Sequence, residues 1–270
     1  MKRSYLFLVL YLLFAVCSYA VDNLRQSDLR SVGLGGNEVT QSLLFNPSLV
    51  ALSSRPSLHI GYFNRFKIKE LSWLSCRFVY PNEWLSAAVD ISSFGCDVYR
   101  DSRFRLSVAK LLNEQWSLGI AVQYRMVQSE LFDKSPSFLS ADIGAVWTPV
   151  DDLLIGVLMK DLPTVTIVKN KIDNKPFTNY MVQIGFQWEV INKLFIMSSL
   201  GTEKEEALLA NIGVEYAPYD CFKLRAGVRT APLLPSLGMG FSFSRFVIDA
   251  AVQYHNQLGV CSGVEVGFRF

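Results

Sequence analysis

The chain has 270 residues, of which 50% are hydrophobic, 13% aromatic and only 19% charged, and its formal net charge is +2. That balance lacks the concentrated basic surface of a nucleic-acid-binding protein and carries less charge than an ordinary soluble domain. Beyond residue 20 no apolar run reaches the roughly 18 residues a spanning helix needs, so the hydrophobicity is dispersed, as it is in transmembrane strands.

The N-terminus reads as a targeting segment. Lys2 and Arg3 are basic, residues 5–16 form a short apolar core, and Ser18-Tyr19-Ala20 places small residues where signal peptidase cuts. The expected signal peptide is 1–20, with the mature chain beginning at Val21. Val16 stands where a lipoprotein signal ahead of Cys17 wants a small residue. The remaining cysteines, Cys76, Cys96, Cys221 and Cys261, show no metal-like spacing and nominate no disulfide pair.

Residues 21–55 differ in character from the rest of the mature chain. They are polar at first, then carry Gly33, Gly35 and Gly36, then a stretch broken by Asn46-Pro47. Strand alternation is absent. This segment is expected to be a hatch or plug, with the barrel occupying 56–270. Its Leu43, Leu44, Phe45 and Leu49 are expected to pack on small lumenal residues such as Gly119, Ala121 and Gly185, and some lumenal arginines to pair with Glu38 or with the barrel's own acids.

From about Pro56 onward short alternating runs succeed one another. In residues 115–126, Trp116, Leu118, Ile120, Val122, Tyr124 and Met126 fall on one face, and Ser117, Gly119, Ala121, Gln123 and Arg125 on the other. A helix would mix the two sets; a strand separates them. The same split recurs in residues 180–189, 222–229, 237–244, 246–255 and 263–270. Large apolar residues on one face, with Gly, Ala, Ser and Gln on the other, suit a barrel wall with lipid outside and a crowded interior. Aromatic residues near strand ends, including Trp116, Tyr124, Trp188 and Tyr254, suit an interfacial girdle. Backbone groups in lipid must all be paired, so such strands close on themselves. The expected fold is all-β: a transmembrane antiparallel up-and-down β-barrel of about fourteen strands, with twelve as the alternative because the runs near Leu74, Val157 and Met197 alternate poorly. The longest connection runs over residues 161–178, extended by a short strand at 164–168.

The segment Ser31-Val32-Gly33-Leu34-Gly35-Gly36, followed by Leu44-Phe45-Asn46-Pro47-Ser48-Leu49, resembles the N-terminus of the FadL/PorV/PorQ type of outer-membrane barrel, with Ser48 where an alanine is usual. Residues 154–162 and 222–228 are similar to the same group. The resemblance implies fourteen strands and a lumenal hatch that includes Gly33, Gly35, Gly36, Asn46 and Pro47. It also implies one of two roles: passing hydrophobic molecules across the outer membrane, or serving type IX secretion as a barrel partner of exported proteins. The chain ends on Val266, Phe268 and Phe270, which look like the signal read by the barrel-assembly machinery.

Chemistry is sparse. His59 and His255 fall on the first and next-to-last strands, which closure is expected to bring near each other. Ser57 flanks His59, and Asp249 and Glu265 lie on neighbouring strands, yet the spacing specifies no triad. The lumenal face collects Arg103, Arg105, Arg125, Lys223, Arg225, Arg229 and Arg269 against Asp90, Asp142, Glu189, Glu215, Asp249 and Glu265. This near balance points to paired charges rather than an ion-selective pore. The glycines at 33, 35 and 36 form no phosphate loop, no metal cluster is visible, and no cofactor is expected. The sequence therefore reads as a non-enzymatic barrel in the outer membrane of a Gram-negative bacterium, in contact with lipid and inserted by the assembly machinery. Its partner is an exported protein of a secretion system; the alternative is a FadL-like channel for a hydrophobic small molecule, and a lipid hydrolase is the distant third.

Overall fold

The computed structural model describes residues 28–130, 132–169, 180–203, 208–230 and 232–270. The signal segment at 1–20 lies outside the described residues. Among the described residues fifteen strands form one antiparallel sheet that closes on itself. They are β1 (Ser57–Asn64), β2 (Ser72–Tyr80), β3 (Ser86–Gly95), β4 (Tyr99–Leu111), β5 (Trp116–Ser129), β6 (Ser137–Val150), β7 (Leu153–Lys160), β8 (Thr164–Val168), β9 (Met181–Ile191), β10 (Leu194–Glu203), β11 (Leu209–Tyr219), β12 (Phe222–Arg229), β13 (Leu234–Phe243), β14 (Phe246–His255) and β15 (Gly259–Arg269). Each pairs with its neighbours in the chain, apart from β8, which pairs with β6 alone, and β7 and β9, which skip β8 and pair with each other; β1 pairs with β15 to close the cylinder.

Fourteen positions make up the wall, because β7 and β8 share one. Both lie along β6: Ile143 faces Met159 in β7, and Ser140 faces Thr164 in β8. Between those pairs β6 advances three residues and the other strand five, so residues 161–163 bulge, with Asp161 at φ 56°. β9 pairs with β7 only as far as Lys160 opposite Met181, and the far edge of β8 has no strand partner among the described residues. The short strand expected at 164–168 within the long connection is β8, a part of the wall; residues 170–178 of that connection lie outside the described residues.

The alternation read from the sequence is the alternation of the wall. Ile120, Ile184 and Val264 are 52%, 55% and 45% exposed on the outer surface, whereas Ala121 is 1% exposed on the inner one. Trp116 stacks on Trp147 at 5.5 Å, and Phe268 packs against both Phe246 and Phe270, at 5.2 and 5.1 Å. Both groups sit on the outside at the end carrying short turns such as residues 151–152, 192–193 and 244–245, the periplasmic end by the usual rule for such barrels. From Trp116 to Tyr124 the strand runs about 26 Å, or roughly 20 Å along the axis at the usual tilt, close to the height of an outer-membrane apolar band.

Inside the cylinder lies the segment before β1. It contains α1 (Leu29–Gly33), α2 (Glu38–Gln41) and a 3-10 helix (Pro47–Leu52). Residues 28–51 are buried apart from Arg30, Gly36 and Leu43, which are partly so. Asp28 caps α1 by accepting the Arg30 and Ser31 N–H groups, at 3.1 and 3.5 Å. Asn46 caps the 3-10 helix at the Ser48 N–H, at 3.2 Å, and Pro47 sits at its first position, where a missing N–H costs nothing.

Candidate functional site

The hatch backbone comes closest to the wall where inward-facing glycines leave it without side chains. Gly119 faces Gly144 across β5 and β6, Gly156 faces Gly185 across β7 and β9, and Gly213 faces Gly227 across β11 and β12. All six point inward. A Cβ at Gly213 would stand 2.6 Å from the Leu34 carbonyl oxygen, and one at Gly156 would stand 2.8 Å from a Val39 methyl carbon. Gly119 is covered by the backbone of Pro47 and Ser48, Gly144 by the Asn46 side chain, and Gly227 by Leu34 and Gly35. The expected packing on Gly119 and Gly185 is present with different partners: Pro47-Ser48 and Val39 take the places assigned to the leucines.

Gly33, Gly35 and Gly36 complete this fit from the hatch side. Gly33 and Gly238 approach so that a Cβ on Gly238 would meet the Gly33 Cα at 3.0 Å. Gly35 has φ +73°, and its N–H donates to Ser236 Oγ at 3.1 Å. The Gly36 carbonyl accepts from Asn211 at 3.1 Å. Asn46 also donates to the Val39 carbonyl at 2.6 Å, tying α2 to the 3-10 helix. The hydroxyl of Ser48 donates to Asn46 Oδ1, again at 2.6 Å, a bond that an alanine there could not make.

The lumenal charges are mostly paired. Arg77 bonds Asp90 at 2.6 Å. Arg103 and Arg125 share Asp101, at 2.9 and 2.8 Å. Arg105 pairs with Asp142. Arg225 bridges Glu215, at 2.7 Å, and Asp249. Arg229 and Arg269 make no ion pair with a described residue. The hatch joins this network, but not through Glu38: Arg30 reaches Glu215 at 3.2 Å, Asp28 reaches Arg77 at 3.7 Å, and Arg105 donates to the Phe45 carbonyl at 3.0 Å. Sequence reasoning missed Asp28, Arg30 and Arg77 because ion pairing depends on which wall strand the hatch lies against.

An apolar cluster occupies the lumen beside the bulge in the wall. Val39, Leu44, Phe45, Leu158 and Met181 are all within 2% of full burial. Leu158 and Met181 belong to the last stretch of β7–β9 pairing before β8 diverges. The Lys160 ammonium lies 3.9 Å from the Phe45 ring centroid. A second cluster, with Leu29, Val32, Phe63, Trp73 and Phe94, fills the lumen across from it.

The two histidines do not meet. β15 lies between their strands, and His59 is near the short-turn end while His255 is at the loop end, edge-on to Phe66 at 5.8 Å. His59 instead bonds Glu265 and Ser57, each at 3.1 Å. None of the four cysteines forms a disulfide. Val266 and Phe268 lie near the end of β15 and Phe270 just beyond it, its ring 6.4 Å from that of Phe78 on the outer wall.

A closed cylinder of antiparallel strands with an apolar outer band, filled by its own N-terminal segment, is an outer-membrane barrel with a lumenal hatch. Its fold is that of the FadL-type barrels. The toluene transporter TodX of P. putida superposes with a TM-score of 0.71 at 8% identity, over 92% of this chain and 99% of that one. The toluene transporter TbuX of Ralstonia pickettii gives 0.66 at 12% identity, over 93% of this chain and 100% of that one. A FadL homologue of Pseudomonas aeruginosa gives 0.61 at 12% identity, over 93% and 99%. No protein-family model and no curated protein matches the sequence.

Proposed function

We propose that the protein is an outer-membrane channel for hydrophobic small molecules. The observation that carries this reading is the apolar cluster of Val39, Leu44, Phe45, Leu158 and Met181, set inside the wall beside the bulge at residues 161–163. An apolar lumenal cluster beside a bulged stretch of wall suits a solute that partitions into the bilayer, since burial of apolar surface is what favours its entry. The structural neighbours described as toluene transporters and as monoaromatic hydrocarbon channels support the same reading. Secretion-linked partner binding, the favoured reading of the sequence, gains no support from these neighbours, and the small-molecule reading stands better supported.

The test is uptake. Cells lacking other hydrocarbon channels are given this chain, and the initial uptake rate of labelled toluene is measured. The expected outcome is faster uptake than in cells with an empty vector, and a slower rate when Leu158→Asp places a charge in the apolar cluster of a folded barrel. Equal rates with and without the chain would reject the channel reading for monoaromatic solutes.

A further inference from the structure

Passage of a hydrophobic solute makes no use of the hydrogen-bonded series at the short-turn end of the lumen. Ser57 and His59 are two residues apart on β1, so their side chains share its inner face. Glu265 projects inward from β15. His59 Nδ1 lies 3.1 Å from Glu265 Oε1, and His59 Nε2 lies 3.1 Å from Ser57 Oγ. An ionised carboxylate only accepts, so the His59 proton belongs on Nδ1. Nε2 is then left bare, and the Ser57 hydroxyl donates to it. Nucleophile, base and orienting acid stand in order at bonding distance, which is the arrangement that activates a serine.

The surroundings supply two more requirements. Ser57, His59 and Glu265 line an open cavity of about 440 Å³ beneath the hatch. Arg269 lies directly opposite Ser57 in the β1–β15 register, lines the same cavity, and makes no ion pair with a described residue. A cation beside the nucleophile can stabilise negative charge developing on a carbonyl oxygen. Leu43, Leu49 and Leu52 add an apolar side to the cavity.

We propose that Ser57, His59 and Glu265 form a serine esterase site at the periplasmic mouth, acting on short-chain carboxylic esters. Ser57 Oγ adds to the ester carbonyl while His59 Nε2 takes its proton. The tetrahedral intermediate, its oxyanion facing Arg269, collapses as the C–O bond to the alcohol breaks, and His59 returns the proton to the leaving alcohol. Water then attacks the acyl-serine with His59 again as base, releasing the acid and restoring Ser57. Glu265 is a positioning residue that holds the His59 tautomer.

The experiment treats the purified, refolded full barrel in detergent with a fluorescent fluorophosphonate and, separately, with p-nitrophenyl butyrate. Folding of every sample is verified by heat-modifiable gel mobility. The expected result is a covalent label mapped to Ser57 by peptide mass and saturable ester turnover. Ser57→Ala should lose both. His59→Gln should lower turnover about 100-fold or more, the size of a general-base contribution. Glu265→Gln should lower kcat with KM little changed, and Glu265→Asp should restore part of it. Absence of label on folded wild-type protein would overturn the proposal, as would turnover that survives Ser57→Ala. Should Ser57→Ala fail to fold, the His59→Gln comparison and the mapped label on wild-type protein decide the question.

Discussion

Asp142 binds Arg105 with one carboxylate oxygen and the backbone N–H of Asp161 with the other, the latter at 2.6 Å. Arg105 in turn holds the Phe45 carbonyl of the hatch. One buried pair therefore connects the bulge in the wall to the segment that fills the lumen. Both side chains are essentially inaccessible, at 3% and 0%. Removing one partner of such a pair leaves a buried charge uncompensated, at about 3–5 kcal/mol. Arg105→Met alone should lower stability by that much in urea titrations of vesicle-refolded protein. Arg105→Met combined with Asp142→Asn should recover most of it, since Asn still accepts from Asp161. A single substitution costing under about 1 kcal/mol would show that the pair is solvated.

Gly35 and Gly259 both have positive φ, at +73° and +99°, but only Gly35 is crowded: a Cβ there would stand 2.6 Å from the Val228 nitrogen, whereas none of the heavy atoms comes within 4 Å at Gly259. Gly259→Ala should cost about 1–2 kcal/mol of backbone strain and nothing else. Gly35→Ala should add displacement of the hatch, seen as faster protease cleavage within residues 28–55 of the folded barrel. Equal protease sensitivity of the two variants would separate the hatch from the glycine fit.

Ile120 faces lipid and its neighbour Ala121 faces the lumen. Arginine at Ile120, Ile184 or Val264 should cost about 2–4 kcal/mol near mid-bilayer. Arginine at Ala121 or Gly185 should act through steric crowding, and alanine at Gly185 should already destabilise, because its Cβ would lie 2.9 Å from the Ser198 carbonyl oxygen. Tolerance of charge at the first three positions would reverse the assigned faces.

The hatch fills a fourteen-stranded cylinder too wide for its own side chains to close, since eight strands already suffice for a packed interior. Deleting residues 22–50 while retaining the targeting segment should leave an assembled barrel with a much larger single-channel conductance in planar bilayers. A correctly folded deletion with unchanged conductance would mean that other chain segments block the lumen.

The barrel was legible in the sequence because a strand in a two-sided wall writes its environment at every second residue. Lipid demands large apolar side chains and the interior demands small or polar ones, so Trp116 to Met126 declares both faces without reference to any other strand. The hatch was legible as a long stretch without that period, broken by Asn46-Pro47. The approximate balance of lumenal charge was legible too, from parity alone.

Adjacency, by contrast, came from the folded wall. Which acid meets which base depends on register and on the path of the hatch, so Arg105 with Asp142 and Arg30 with Glu215 are separated by 37 and 185 residues and could not be paired by spacing. The separation of the two histidines followed from the position of β15 and from the opposite ends of the wall they occupy. The short strand at 164–168 was legible in the sequence; that it shares one wall position with β7, after a bulge at residues 161–163, follows from β6 being long enough to pair with β7 and then β8. The union of Ser57 and His59 with Glu265 likewise required closure of β1 on β15, because a strand's pattern records the face of each residue and is silent on its cross-strand partner.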